Sequence, residues 1–283
     1  MRLEVPLDYD NLAAGYTALA FIKKGSRIPQ EHAPGTIAIL GGPGRSGIED
    51  YISGRMPSRH VLGRKHDIIA FDPRGVGHSG PNLDCFGGDL TASYQAASGE
   101  YSFSSSSRKR IVEKAGAWGD LCKKNLNDSA RYIGTPAVAR DISLYFERQA
   151  NKSTAISSDV NFYGAGYGAI LGATVASMYP HRVGRIVLDS PMTPEAYYED
   201  VQRFASKDQN EAVRQFFIQC SEAGPEVCGF WGATPEDIEG RYHRLLEKLE
   251  DHPLQIPFVR APVDSPVQIT ADSVRARMLT AAY

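Results

Sequence analysis

The sequence has no run of about 20 apolar residues, the length a helix needs to span a bilayer. It also shows no apolar leader core: Met1-Arg2-Leu3-Glu4-Val5-Pro6 goes straight into a strand-like segment. The expectation is that the protein is not exported or that its signal lies outside these residues. Charge of one sign is missing too. Thirty-one Lys and Arg against 33 Asp and Glu leave a net charge of −2, which excludes a nucleic-acid surface and an anionic-membrane binder. The basic clusters Arg108-Lys109-Arg110 and Lys123-Lys124 are short and read as solvated surface. Cysteine is scarce, with Cys85, Cys122, Cys220 and Cys228 only, and no two have the spacing of a zinc or redox motif. No metal and no cofactor is therefore expected. Spacing alone leaves all three pairings open, and free thiols as well. No internal repeat is present, and the one low-complexity patch, Ser102 to Ser107, reads as an exposed loop.

With 42% hydrophobic residues, 283 residues are enough for one large core, or a core with a smaller appended domain. Four apolar runs end in turn-rich stretches. They are Thr36 to Leu40 before Gly41-Gly42-Pro43-Gly44, Asp67 to Phe71 before Asp72-Pro73-Arg74-Gly75, Val160 to Tyr163 before Gly164, and Arg185 to Leu188 before Asp189-Ser190-Pro191. Apolar runs without strict alternation suit parallel strands buried on both faces. Helical patterns lie between them. Thr135-Pro136 reads as an N-cap with proline at the first helical position, followed by an apolar face of Val138, Ile142, Tyr145 and Phe146. A second helix runs from Tyr167 to about Met178. Segments around Leu3–Tyr9 and Tyr16–Lys24 read as an antiparallel edge hairpin. The fold class is α/β, with a mostly parallel sheet and helices on both faces. From Glu195 to about Leu249 the chain turns charged, helical and strand-poor, and Thr234-Pro235 opens a helix carrying Leu245, Leu246 and Leu249. The domains are read as a core over 1–191 and a helical cap over 192–283.

The segment with chemical content is Asn161-Phe162-Tyr163-Gly164-Ala165-Gly166-Tyr167-Gly168, with a strand leading in and a helix leading out. That is the setting of a nucleophile elbow, G-x-S-x-G. Gly164 and Gly168 hold the two flanking positions, where strand and helix backbones come close. The middle position, serine in the motif, is Gly166. Glycine adopts the elbow conformation freely, whereas a non-glycine residue there is strained by roughly 1–3 kcal/mol. Taken alone, the segment also fits an ordinary glycine-rich turn or a phosphate-binding loop. Leu40-Gly41-Gly42-Pro43-Gly44-Arg45-Ser46-Gly47 follows a strand like a glycine-rich oxyanion loop, and its partner donor is the N–H after the elbow position. The two donors are then Gly42 and Tyr167. Asp72 to Gly80 reads as a structural loop that shapes the floor of the site.

Gly-Gly-Pro-Gly, Asp-Pro-Arg-Gly-x-Gly-x-Ser, the elbow, Met178-Tyr179-Pro180-x-Arg182-Val183-Gly184-Arg185-Ile186-Val187-Leu188-Asp189, Ala139-Arg140-Asp141-Ile142 and Cys220…Cys228-Gly229-Phe230 together resemble the tripeptidyl-aminopeptidase-like branch of the prolyl-aminopeptidase group of α/β-hydrolases. The resemblance covers nearly the whole chain. It implies an α/β-hydrolase core with a helical cap, and an exported serine hydrolase. Such an enzyme releases tripeptides or single residues from peptide N-termini by acyl-enzyme chemistry, without a metal. It also implies disulfides Cys85–Cys122 and Cys220–Cys228 in an oxidising compartment.

The departures are equally plain. The elbow serine is absent, and the resemblance places the catalytic Asp and His in a further C-terminal segment that completes the sheet. None of His32, His60, His66, His78, His181, His243 and His252 sits on the loop that carries the family's histidine, and His78 and Ser79 are sequence neighbours that form no dyad. The expectation is a chain incomplete at its C-terminal end and inactive as written. It is expected to need a C-terminal segment or a second chain beside the strand ending at Leu188. The alternatives are a non-catalytic homologue binding a peptide or small molecule, and a truncated gene product.

Overall fold

The computed structural model describes residues 1–29, 33, 35–97, 105–126, 128–152, 157–199, 208–259 and 265–281. Its strands are β1 (Arg2–Pro6), β2 (Tyr16–Lys24), β3 (Thr36–Leu40), β4 (Asp67–Phe71), β5 (Val160–Ala165), β6 (Val183–Asp189), β7 (Leu254–Val259) and β8 (Ser265–Ile269). Its helices are α1 (Gly47–Ile52), α2 (Arg59–Leu62), α3 (Leu90–Ala97), α4 (Ser105–Leu126), α5 (Thr135–Ala150), α6 (Tyr167–Met178), α7 (Pro194–Tyr198), α8 (Gln209–Ala223), α9 (Pro235–Asp251) and α10 (Ala271–Ala281). Packing divides the chain into two compact units, Met1–Asp89 with Trp118–Val201, and Leu90–Ala117 with Gln202–Tyr283.

The first unit holds a six-stranded sheet in the order β1-β2-β4-β3-β5-β6. The β1–β2 and β2–β4 pairs are antiparallel, and β4, β3, β5 and β6 are mutually parallel. The apolar runs of β3, β4 and β5 become buried parallel strands, whereas β6, expected from its apolar run to be covered on both faces, is exposed along most of its length because no further strand or helix completes its cover among the described residues. On one face Phe21, Leu40, Ile69, Phe71 and Phe162 pack against Val138, Ile142, Tyr145 and Phe146 of α5 and Leu171 and Val175 of α6. The rings of Phe71, Phe21 and Tyr145 stack in succession, with centroids 5.5 and 4.9 Å apart. On the other face Ile39, Ile68 and Ala70 form a smaller cluster with Met56, Tyr51 and Tyr163. Strand β6 ends the sheet, paired on one side among the described residues, with Val187 and Leu188 exposed. Seen from the sequence this is the strand with the unpaired edge.

Inside the core lies a buried ion pair. Arg74 and Asp141 side chains are both fully buried, and Arg74 Nε and Nη2 donate to the Asp141 carboxylate oxygens at 2.7 Å each. The guanidinium also donates to the carbonyls of Pro6 (2.6 Å), Leu7 (2.6 Å) and Tyr132 (3.1 Å), and the Tyr9 hydroxyl donates to Asp141 at 2.7 Å. One planar fork thus ties the turn after β4 to α5 and to the segment between β1 and β2, as bidentate geometry allows. Asp141 stands three residues after Val138 on the apolar face of α5. A lone carboxylate on that face is the sequence mark of such a partner.

The second unit packs Phe217, Cys220, Ile238, Tyr242, Leu246, Leu249 and Ala271, from α8, α9 and α10, into its own core. The β7–β8 pair is an antiparallel hairpin. The four cysteines pair as Cys85–Cys122 and Cys220–Cys228, separated by 37 and 8 residues. In the chain-entropy picture such loops contribute roughly 4 and 2.5 kcal/mol.

Two local expectations need correction. Thr135 is the first residue of α5 and not its cap; Gly134 occupies that place with extended backbone. The Thr135 hydroxyl instead exchanges hydrogen bonds with the hydroxyls of Tyr167 (3.2 Å) and Tyr197 (3.1 Å), so tertiary partners outcompete the helix end. The serine patch is not all loop, because α4 starts at Ser105; residues 102–104 lie outside the described residues. By contrast Thr234 caps α9 as read, accepting from Asp237 N at 3.2 Å.

Candidate active site

The site is built where β5 passes into α6. Gly166 stands between them with φ 57° and ψ −113°, a backbone conformation that glycine adopts readily and other residues only under strain. The turn is sharp enough that its flanking positions exclude side chains. A Cβ on Gly164 would lie 2.7 Å from Ala169 N, and one on Gly168 would lie 2.8 Å from the Leu40 carbonyl carbon. At Gly166 the situation is reversed, since a Cβ would meet nothing within 4 Å. The middle position thus has room for a side chain, and only the backbone disfavours one.

Three hydrogen bonds fix this turn. Gly168 N donates to Gly41 O, Gly166 N to Asp189 O, and Ala169 N to Gly166 O, each at 3.0 Å. The first ties the turn to the loop after β3, and the second ties it to the end of β6. Because β3 pairs with β5 in the register Leu40↔Gly164, the Gly41–Gly47 loop starts beside the turn. Gly42 and Tyr167, the two expected donors, are thereby brought to the same end of the sheet. Neither backbone N–H donates to a protein acceptor among the described residues. The Tyr167 side chain is occupied elsewhere: its hydroxyl meets Thr135, its ring packs 5.9 Å from that of Tyr197, and burial pushes its phenol up to about 12.

The surroundings carry charge that the sequence left unassigned. Asp50 of α1 is buried beside Gly41, where a Cβ would lie 3.1 Å from its carboxylate. Burial opposes its ionisation, but hydrogen bonds from Arg45 and Arg55, both 2.8 Å, outweigh this and hold it below the usual carboxylate range. Asp189 accepts from the Tyr163 hydroxyl and from Ser190 Oγ (3.0 Å), and these two, in that order of effect, favour its ionised form and hold it below the usual carboxylate range. Ser190 has φ 49°, the single non-glycine residue with positive φ among those described. A cleft of about 850 Å³ lies alongside, lined by Tyr51, Arg55, Met56, Tyr163, Ala165 and Asp189 among others.

No base stands at the turn among the described residues. His60, His78, His181, His243 and His252 are exposed, and no hydrogen bond joins a histidine side chain to residues 164–168. His32 lies outside the described residues. Ser79 is buried and spent on structure, donating to Asp72 O at 2.6 Å and accepting from Ala20 N at 2.8 Å. The described residues contain no cluster of His, Cys, Asp and Glu able to hold a metal, and no helix long and apolar enough to cross a membrane.

Comparison with known proteins identifies the fold family. The sequence profile described as alpha/beta hydrolase fold matches residues 41–226. Serine protease Hip1 of Mycobacterium tuberculosis is 27% identical over 256 residues, covering 88% of this chain and 46% of its own. Tripeptidyl aminopeptidase of Streptomyces coelicolor is 29% identical over 262 residues, covering 88% and 45%. The chain therefore spans about half the length of the curated relatives it matches. The solved proline iminopeptidase of Mycobacterium smegmatis is 13% identical, with a TM-score of 0.42 over 86% of this chain and 60% of its own, a likeness too low to carry an argument.

Proposed function

The chain belongs to the alpha/beta hydrolase fold family, and from that premise we propose that it is the scaffold of a serine aminopeptidase whose elbow has lost its nucleophile. It would hold peptide ligands without cleaving them. The observation that carries this reading is Gly166: elbow backbone, interlocked flanking glycines, open space for a side chain, and a hydrogen where attack would begin. Acyl transfer needs an activated oxygen, a base to take its proton and an acid to orient that base. The Gly42 and Tyr167 N–H groups serve in this reading as the oxyanion donors. Without attack, their natural ligand is a carboxylate oxygen such as the C-terminus of a released peptide.

Residues 192–283 are the cap region in the same reading. The exposed edge of β6 is the place where a further segment or a second chain extends the sheet, since unpaired apolar edges recruit strands. Export fits the two disulfides, which form and persist in oxidising compartments. Calorimetric titration with tripeptides bearing a free amine tests the reading. Saturable binding is expected, with no new product by chromatography after long incubation. Cleavage would overturn the silent-site reading, and absence of binding would overturn the ligand.

A further inference from the structure

Asp72, at the end of β4, is fully buried, and its carboxylate is spent on two loops. One oxygen accepts from Ser46 Oγ at 2.7 Å and from Ile48 N at 3.2 Å; the other accepts from His78 N at 2.9 Å. Ser46 Oγ in turn accepts from Glu49 N at 3.1 Å, so Asp72 and Ser46 together cap α1. A carboxyl oxygen accepting from a helix's first N–H groups and its cap suits a helix N-terminus. The packing leaves no slack. A Cβ on Gly77 would lie 3.0 Å from Asp72 Cγ at φ +53°, and one on Gly47 would lie 2.9 Å from Leu40 Cδ1.

The consequence falls on the loop between β3 and α1. At its start Gly41 O is held by Gly168 N, and at its end Ser46 and Ile48 are held by Asp72. Only residues 42–45 span the two anchors, and Gly42 is the first of them. Resting on the reading above, we infer that Asp72 is a positioning residue: it fixes the Gly42 N–H in register with the Tyr167 N–H, so that the pair donates to one anionic oxygen. Such donors act only when aimed, and displacements of about 1 Å lower their effect on the order of a hundredfold. Arg74, two residues on, bonds to Asp141 and to remote carbonyls and has no partner in this loop.

The test uses the chain as it stands, with Asp72→Ala and Asp72→Asn. Two quantities are read: amide hydrogen exchange along the chain, and the affinity of one tripeptide as free acid and as C-terminal amide. The parent should prefer the acid by about tenfold, the scale of one hydrogen bond to a charged group. Asp72→Ala should bring that ratio near one while keeping amide affinity, and should speed exchange over 41–48 and 76–79 but not over 160–178. Asp72→Asn should fall between, because its oxygen still accepts from Ser46 and Ile48 while its amide group faces the His78 N–H. An unchanged acid preference, or exchange accelerated equally over β5 and α6, would overturn the inference, and the milder asparagine variant decides it should the alanine variant unfold. If the parent binds neither peptide form, the ligand reading fails. Exchange over 41–48 then decides the role of Asp72 separately, and no change there would overturn it.

Discussion

Replacing Gly166 by serine in a chain extended to the length of its relatives is expected to raise peptide turnover on the order of a million-fold, the scale of removing the nucleophile from a serine protease. The same change in residues 1–283 should stay near background. The structure supplies the reasons for both halves. A Cβ at 166 meets nothing within 4 Å, so the serine side chain has room, and the backbone strain of roughly 1–3 kcal/mol is the only opposition. Yet no histidine among the described residues bonds to the turn, and an unactivated serine hydroxyl is a weak nucleophile. Triad members act as a unit, so restoring one without the others recovers little. Initial rates on aminoacyl and tripeptidyl anilides, in both lengths and with either residue, check the expectation. Equal activity in the short and extended serine variants would show that the base lies within residues 1–283.

The second large effect concerns stability. Arg74→Ala should lower the unfolding free energy by about 3–5 kcal/mol, because it leaves the Asp141 carboxylate buried without its counter-charge. It also strips donors from the carbonyls of Pro6, Leu7 and Tyr132. Arg74→Lys keeps the charge but loses the fork, and should fall in between. Removing both charges, Arg74→Met with Asp141→Leu, should recover part of the loss, since a buried pair replaced by apolar groups is often near neutral. The three carbonyls would still lack donors. Denaturant melts of the four proteins give the comparison. A change below about 1 kcal/mol for Arg74→Ala would mean that water reaches Asp141.

Much of this architecture is legible in the chain. Ile68-Ile69-Ala70-Phe71 is apolar without alternation because β4 is covered on both faces, and Val138, Ile142, Tyr145 and Phe146 recur at helical spacing because α5 buries one side. The sharp turn between β5 and α6 is legible because only glycine satisfies the close approaches at 164 and 168. What escapes has a physical cause in each case. Strands β7 and β8 carry Pro257 and Pro266, and proline demotes a run as a strand when read alone. The cap at Thr135 fails because two tyrosine hydroxyls, 32 and 62 residues away, compete for its oxygen. Asp72 reads as part of a turn because its partners at Ser46 and Ile48 are 26 and 24 residues earlier. Local pattern reports periodicity and turn chemistry; it does not report which loops a buried carboxylate joins.

What most needs testing is the proposal that residue 166 occupies a nucleophile position and lacks the nucleophile. Intact-mass and peptide-level analysis after exposure to a fluorophosphonate tests it most directly, using the chain extended to its relatives' length with glycine or serine at 166. No adduct is expected with Gly166 present, and a single adduct is expected on the peptide containing residue 166 in the Gly166→Ser variant. A stoichiometric adduct on the glycine-bearing protein, accompanied by loss of a measurable peptidase activity, would contradict it and assign the nucleophile to another residue.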